Sequence, residues 1–197
     1  MDKKISFVST FIPADSYKEK EEFGNTVILR FDAKLSEDKQ SYECVECSYS
    51  NDVTSEEDAR KAYEEYKTKI ASIRLRQAKR EKLKAISEYD TSDKVNGFSL
   101  NGNVVWLDKA TRVGLMNSTT IAKAAGNKTT TLWLGEMKLE VDCDKAIQLL
   151  SALEMYALQC FNVTAAHKAE VSDMTDVDKV LTYDVTADYP TQLKMEV

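Results

Sequence analysis

From Thr54 to Asn96 the chain contains neither glycine nor proline, and the stretch opens on Thr54-Ser55-Glu56-Glu57. That opening is a capping-box pattern: the Thr54 hydroxyl accepts the Glu57 amide while the Glu57 carboxylate reaches back, and acidic first-turn residues suit the helix dipole. The pattern predicts one helix from Thr54 to about Glu88 or Tyr89, about 35 residues and about 50 Å long at 1.5 Å per residue. This is far longer than an ordinary globular helix, so it reads as a bridge between two modules.

The first half of this helix has an apolar seam. Ala59, Tyr63, Tyr66, Ile70 and Ile73 are spaced 4, 3, 4 and 3, a coiled-coil period over about two heptads. The seam stops at Gln77 and Arg80, within the run Arg74 to Lys84, which holds six basic residues and one acid, Glu81. A new apolar face at Leu83, Ile86 and Tyr89 follows and is expected to dock onto the C-terminal module. A row of tyrosines and isoleucines in water marks an interface. The N-terminal sheet of the same chain, a symmetry mate or another protein can cover it.

Before the helix, Ile5 to Ile12, Thr26 to Phe31 and Ser41 to Tyr49 have the β-branched and aromatic content of strands, with a polar turn at Ser36 to Gln40. They predict a small antiparallel sheet, in which the partner of the Ile5 to Ile12 strand could also lie on another subunit. After the helix, Asn101-Gly102 lies between alternating runs as a type I′ hairpin turn requires, and Gly135 leads a second turn matching type II′. Between them, Asp108 to Ala125 has helical spacing through Val113, Met116, Thr120 and Ala124, closed by Gly126. A last long helix from Asp142 or Asp144 to about Glu170 buries Ala146, Leu150, Leu153, Ala157, Cys160 and Thr164, with Leu149, Tyr156 and Val163 widening the face. A short amphipathic segment, Met174 to Tyr183, leads to a tail expected to fray. The fold class is therefore α+β, with an N-terminal β module (1–53), a long connecting helix (54–91) and a C-terminal module of two hairpins packed with two helices (92–197).

Composition excludes several function classes. The 197 residues, 43% hydrophobic and 30% charged, suffice for a folded core. Uninterrupted apolar runs such as Val104 to Leu107 fall well short of the roughly 20 residues needed to span a bilayer. Ile5 to Ile12 is too short and polar for a signal peptide, so the chain is expected to start out in a cytoplasm. A net charge of −6 has the wrong sign for phosphate-backbone binding. The basic run also lacks aromatic stacking partners, and its charges suit a solvated helix surface or pairing with an acidic neighbour subunit.

Catalytic chemistry has no foothold. Cys44-Val45-Glu46-Cys47 has knuckle spacing but lies in a strand, where positions three apart point to opposite faces, so buried or edge thiols are expected and no metal is called for. The single histidine, His167, falls on the buried stripe of the last long helix and reads as a cap for carbonyls near its end. Glu136, Glu140, Asp142 and Asp144 read as a solvated face and an N-cap. No P-loop, nucleophile elbow or dinucleotide fingerprint occurs. The chain reads as a non-enzyme without a cofactor.

Several pieces occur in one order: Lys79-Arg80-Glu81-Lys82-Leu83, Val95-Asn96-Gly97-Phe98-Ser99-Leu100-Asn101-Gly102, the hairpin from Leu132-Trp133 to Val141, Asp142 opening a helix, and Ala157-Leu158-Gln159-Cys160-Phe161 within it. In this order the stretch from about Arg80 to Lys168 resembles domain-of-unknown-function family 4376, common in phage and prophage tail-region proteins. Asn162-Val163-Thr164 departs from that family's more alanine-rich second half. The resemblance supplies no catalytic residues and implies a phage context. The expected function is a bacteriophage virion structural protein of the tail, fibre or neck, homo-oligomeric and bound to other virion proteins. Its expected interface is Ala59, Tyr63, Tyr66, Ile70 and Ile73. A fibre-assembly chaperone absent from the particle and a small acidic inhibitor of a host protein are the alternatives.

Overall fold

A computed structural model describes residues 5–196. The chain divides into two compact units, Met1–Ile73 and Arg74–Val197, with the boundary inside the long helix. The two-module division of the expected architecture thus carries the helix in two halves, one in each unit.

The N-terminal unit is a four-stranded antiparallel sheet of β1 (Ser6–Pro13), β2 (Lys20–Phe23), β3 (Thr26–Leu35) and β4 (Ser41–Ser50), in the order β1-β4-β3-β2. The sequence reading missed β2 because Lys-Glu-Glu-Phe has no strand signal of its own; pairing with β3 makes it a strand. Register places Phe7, Cys47 and Leu29 side by side on one face, with Val27 beside Tyr49. Alternation then sends Val8, Cys44, Glu46 and Arg30 to the other face. Cys44 and Cys47 therefore lie on opposite faces, as their spacing requires. Both are buried free thiols, and burial pushes the Cys47 thiol up to about 11. β3 is bulged between Phe31 and Lys34, with Asp32 at φ +50°.

Helix α1 runs from Glu56 to Asp90 without a break. Its cap sits one residue later than the sequence pattern predicts: Ser55 Oγ accepts the Asp58 amide at 3.1 Å, while the Thr54 hydroxyl is buried without a hydrogen-bond partner. The side chain at Ser55 is in register with the first free amides; the one at Thr54 is turned into the protein.

The C-terminal unit contains β5 (Phe98–Leu100), β6 (Asn103–Val105), α2 (Lys109–Ala124), β7 (Thr129–Leu134), β8 (Met137–Asp142), α3 (Cys143–Asp173), α4 (Val177–Thr182) and β9 (Leu193–Met195). The first hairpin turns through Asn101 at φ +49° and Gly102 at φ +82°, the paired positive angles of a type I′ turn. Both α2 and α3 are capped by aspartates, Asp108 and Asp142, whose side chains accept first-turn amides. α3 buries all six stripe residues of the sequence reading, together with Tyr156 and His167 from the same expected face, and adds Cys143 and Val171. On α2 the buried positions are Arg112 and Thr119 rather than Val113 and Thr120, which are exposed. The reason is that Arg112 turns inward to hold Glu154 and the Leu107 carbonyl.

The tail does not fray. β9 pairs in parallel with β5, and Tyr189 hydrogen-bonds Thr164, which in turn donates to Asp90. A three-residue strand has too little pattern to be read alone. It is held by the edge it meets.

Candidate interaction surfaces

The seam of α1 is mostly occupied by its own chain. Ala59 and Tyr63 are buried, Ala59 in a cluster with Val27, Leu29, Cys47 and Tyr49. Tyr63 stacks on Phe31 with centroids 4.0 Å apart, and its hydroxyl donates to Asp32 at 2.8 Å across the β3 bulge. Burial and that carboxylate both raise the Tyr63 hydroxyl above the ordinary tyrosine value. Tyr66 stacks on Phe7 at 4.6 Å and is half-buried. Ile70 is half-buried and Ile73 exposed. The expected interface thus separates: Ala59, Tyr63 and Tyr66 belong to the fold of the N-terminal unit, and Ile73 faces solvent. The physical reason is that a four-stranded sheet with one apolar face needs a cover, and α1 is the element that supplies it.

The opposite face of this sheet carries charge. Arg30, 7% exposed, lies 2.7 Å from Glu21 and 3.2 Å from Glu46, and donates to the Lys18 carbonyl at 2.7 Å. Burial opposes the guanidinium charge, but the two carboxylates outweigh it and hold Arg30 protonated; Arg30 in return keeps Glu21 below its usual carboxylate value. This cluster ties β2, β3 and β4 together. It leaves β1, at the far edge, outside the network.

The surface apolar residues of the N-terminal unit include Val8 and Phe11 on β1, 59% and 67% exposed. Sequence reading identified Ile5 to Ile12 as a strand whose partner could lie on another subunit, without singling out Val8 and Phe11 as surface residues. The available signal was its composition: Ser-Phe-Val-Ser-Thr-Phe-Ile-Pro contains no charged residue.

In the C-terminal unit the basic run is partly consumed by the fold. Lys79 donates to the Ser172 carbonyl at 2.5 Å, and Lys82 to the Leu181 and Tyr183 carbonyls at 3.0 and 2.9 Å. These lysines neutralise the exposed carbonyls at the ends of α3 and α4, where a positive charge is favoured. Nearby, Ala78 and Ile86 pack with Val171 and Val180. His167 does not cap α3 itself. Its Nε2 lies 2.9 Å from the Ala187 carbonyl and its Nδ1 2.6 Å from the Tyr183 hydroxyl, which donates to Glu170 at 2.8 Å. The histidine fastens the segment after α4 onto α3.

A cavity of about 510 Å³ in this unit is walled by Trp106, Leu158 and Phe161, with the Arg112–Glu154 ion pair at its polar side. The sequence reading missed it because its walls come from the end of α1, the segment between β6 and α2, α2 itself and α3, and, Ala157 apart, from side chains outside the buried stripe. Among the described residues, no group of histidine, cysteine or carboxylate side chains is arranged to hold a metal ion, and no helix is long and apolar enough to cross a membrane.

No curated protein and no solved structure matches the chain. The family model described as Domain of unknown function (DUF4376) matches residues 77–188. That span begins in the second half of α1 and takes in both hairpins, α2, α3 and α4. It covers more than half of the chain and lies inside the C-terminal unit. The chain therefore belongs to the DUF4376 family, through its C-terminal unit.

Proposed function

We propose that this chain is a bacteriophage virion structural protein, a tail, fibre or neck component that works by protein–protein assembly rather than catalysis. The observation that carries the reading is the N-terminal unit: a sheet closed on one face by its own helix, with an uncharged edge strand bearing exposed Val8 and Phe11, all outside the residues the family model matches. A unit whose own core is complete but whose edge is apolar is built to add to something. The phage setting comes from the family resemblance, and the partners proposed are other virion proteins and further copies of this chain. Mass spectrometry of purified particles of the phage that encodes the chain tests the reading. The expected result is its peptides in stoichiometric amounts with known structural proteins. Peptides found in infected cells and absent from particles would overturn it and favour an assembly chaperone.

A further inference from the structure

We propose that β1 is a dimerisation edge, at which the β1 strands of two copies of this chain pair antiparallel about a two-fold axis through Ser9. For its purpose the proposal rests on the assembly reading above; its geometry needs no virion.

The argument starts from the two edges of one sheet. β2 is four residues long and carries Lys20, Glu21 and Glu22, with Lys20 bridged to Glu22 and Glu56. A short, charged strand is how proteins prevent an edge from recruiting another strand. β1 is eight residues long, carries no charge, and has its only proline at its last position. It pairs with β4 on one side and, among the described residues, with no strand on the other. Alternate residues of β1 therefore direct backbone N–H and C=O groups outward, ready for a ladder. It is the longest edge strand among the described residues.

The occupant follows from composition and register. A foreign strand selected by charge finds nothing on β1 to read, whereas β1 facing itself brings no like charges together. Antiparallel pairing into one continuous sheet keeps each face with its like, so odd residues meet odd and even meet even. Centred on Ser9, this sets Phe11 opposite Phe7 of the second copy, and Val8 opposite Thr10. Phe7 is already stacked on Tyr66 at 4.6 Å, so the incoming Phe11 extends an existing aromatic row. Cross-strand aromatic pairs of this kind are the favourable unit of sheet pairing. Centred on Thr10 instead, Phe11 meets Ser9 and stays in water. The joined sheet ends on β2 at both sides, so assembly stops at two copies.

Sedimentation of the full chain at micromolar concentration tests this. The wild type is expected at twice its chain mass of 22.2 kDa. Val8→Lys, at an exposed position that removes no core contact, is expected at one chain mass with an unchanged far-UV circular dichroism spectrum. Phe23→Lys, on β2, is expected to remain double. Ser9→Cys treated with a short bismaleimide is expected to cross-link to a covalent dimer, and decides the matter if Val8→Lys fails to fold. A single-mass wild type, a Val8→Lys that stays dimeric, or a dimer in which Ser9→Cys does not cross-link overturns the proposal. A single-mass chain present in particles contradicts this proposal alone; a dimer absent from particles contradicts the virion reading alone.

Discussion

Helix α1 is used differently by its two halves. In the N-terminal unit it is, among the described residues, the one helix over the sheet, and the buried apolar cluster there is five residues, Val27, Leu29, Cys47, Tyr49 and Ala59. In the C-terminal unit it is one of several elements, and the main buried cluster numbers thirteen residues drawn from two sheets and α3, beside a smaller one formed with α4. The unit with the larger core builds it from its own hairpins and helices, yet leaves Ile121, Trp133 and Phe161 exposed. The smaller one leaves a long uncharged edge and the exposed Val8 and Phe11. Exposed apolar side chains occur in both units, so what sets the N-terminal one apart is its edge: β1, at eight residues, is the longest edge strand among the described residues and carries no charge.

The largest expected effect breaks the larger core. Phe98, 1% exposed, sits in the main cluster, and Phe98→Ala should cost about 3–5 kcal/mol by lost burial and the cavity left behind. Both tryptophans, Trp106 and Trp133, lie in the C-terminal unit, so denaturant titration followed by tryptophan fluorescence reads that unit alone. An unchanged midpoint would contradict the assignment of Phe98 to the core. Gly102→Val comes next, at about 1–3 kcal/mol, because a β-branched residue is strained at positive φ. A Cβ there meets nothing within 4 Å, so the loss measures backbone strain and not a clash.

In the N-terminal unit the corresponding test is the cap. Ser55→Ala should cost about 1 kcal/mol, whereas Thr54→Val should be neutral or stabilising, since the Thr54 hydroxyl is buried without a partner. Thermal melts followed by circular dichroism compare the two; the reverse order would restore the cap to Thr54. The smallest effect is acid sensitivity. Glu21 and Glu56 are held below the usual carboxylate value, the first by Arg30 and the second by Arg60 and Lys20. A depressed folded-state value means their contribution is complete above the unfolded carboxylate value and is lost as pH falls through the folded one. Stability of the N-terminal unit is therefore expected to decline below about pH 4.3, the ordinary glutamate value, and Glu21→Gln should flatten that decline. An identical acid profile in the variant would show that the Arg30 cluster is not responsible.

What the sequence made legible were the elements whose signals are local. The glycine- and proline-free stretch defined α1, the Asn101-Gly102 turn defined its hairpin, and the α3 stripe from Ala146 to Thr164 was read residue by residue. What it concealed depends on distant partners. β2 is a strand only beside β3, β9 only beside β5, and the tail is fixed by Tyr189 and by His167 reaching Ala187. The seam illustrates the same limit. Its period was correct, but period alone does not distinguish a neighbour molecule from Phe7 and Phe31 of the same chain. Of the candidate interface residues, Ile73 is the one exposed, at 38%; that β1 lies at an edge is fixed by the sheet order.

Hydrogen–deuterium exchange along β1 in the full chain tests most directly the claim that the N-terminal edge is where copies meet. The account predicts that the outward-facing amides between Ser6 and Pro13 exchange slowly at high concentration, and speed up on dilution and in Val8→Lys, while those of β2 keep one rate throughout. Fast exchange of those β1 amides at every concentration, equal to that in Val8→Lys, would contradict it.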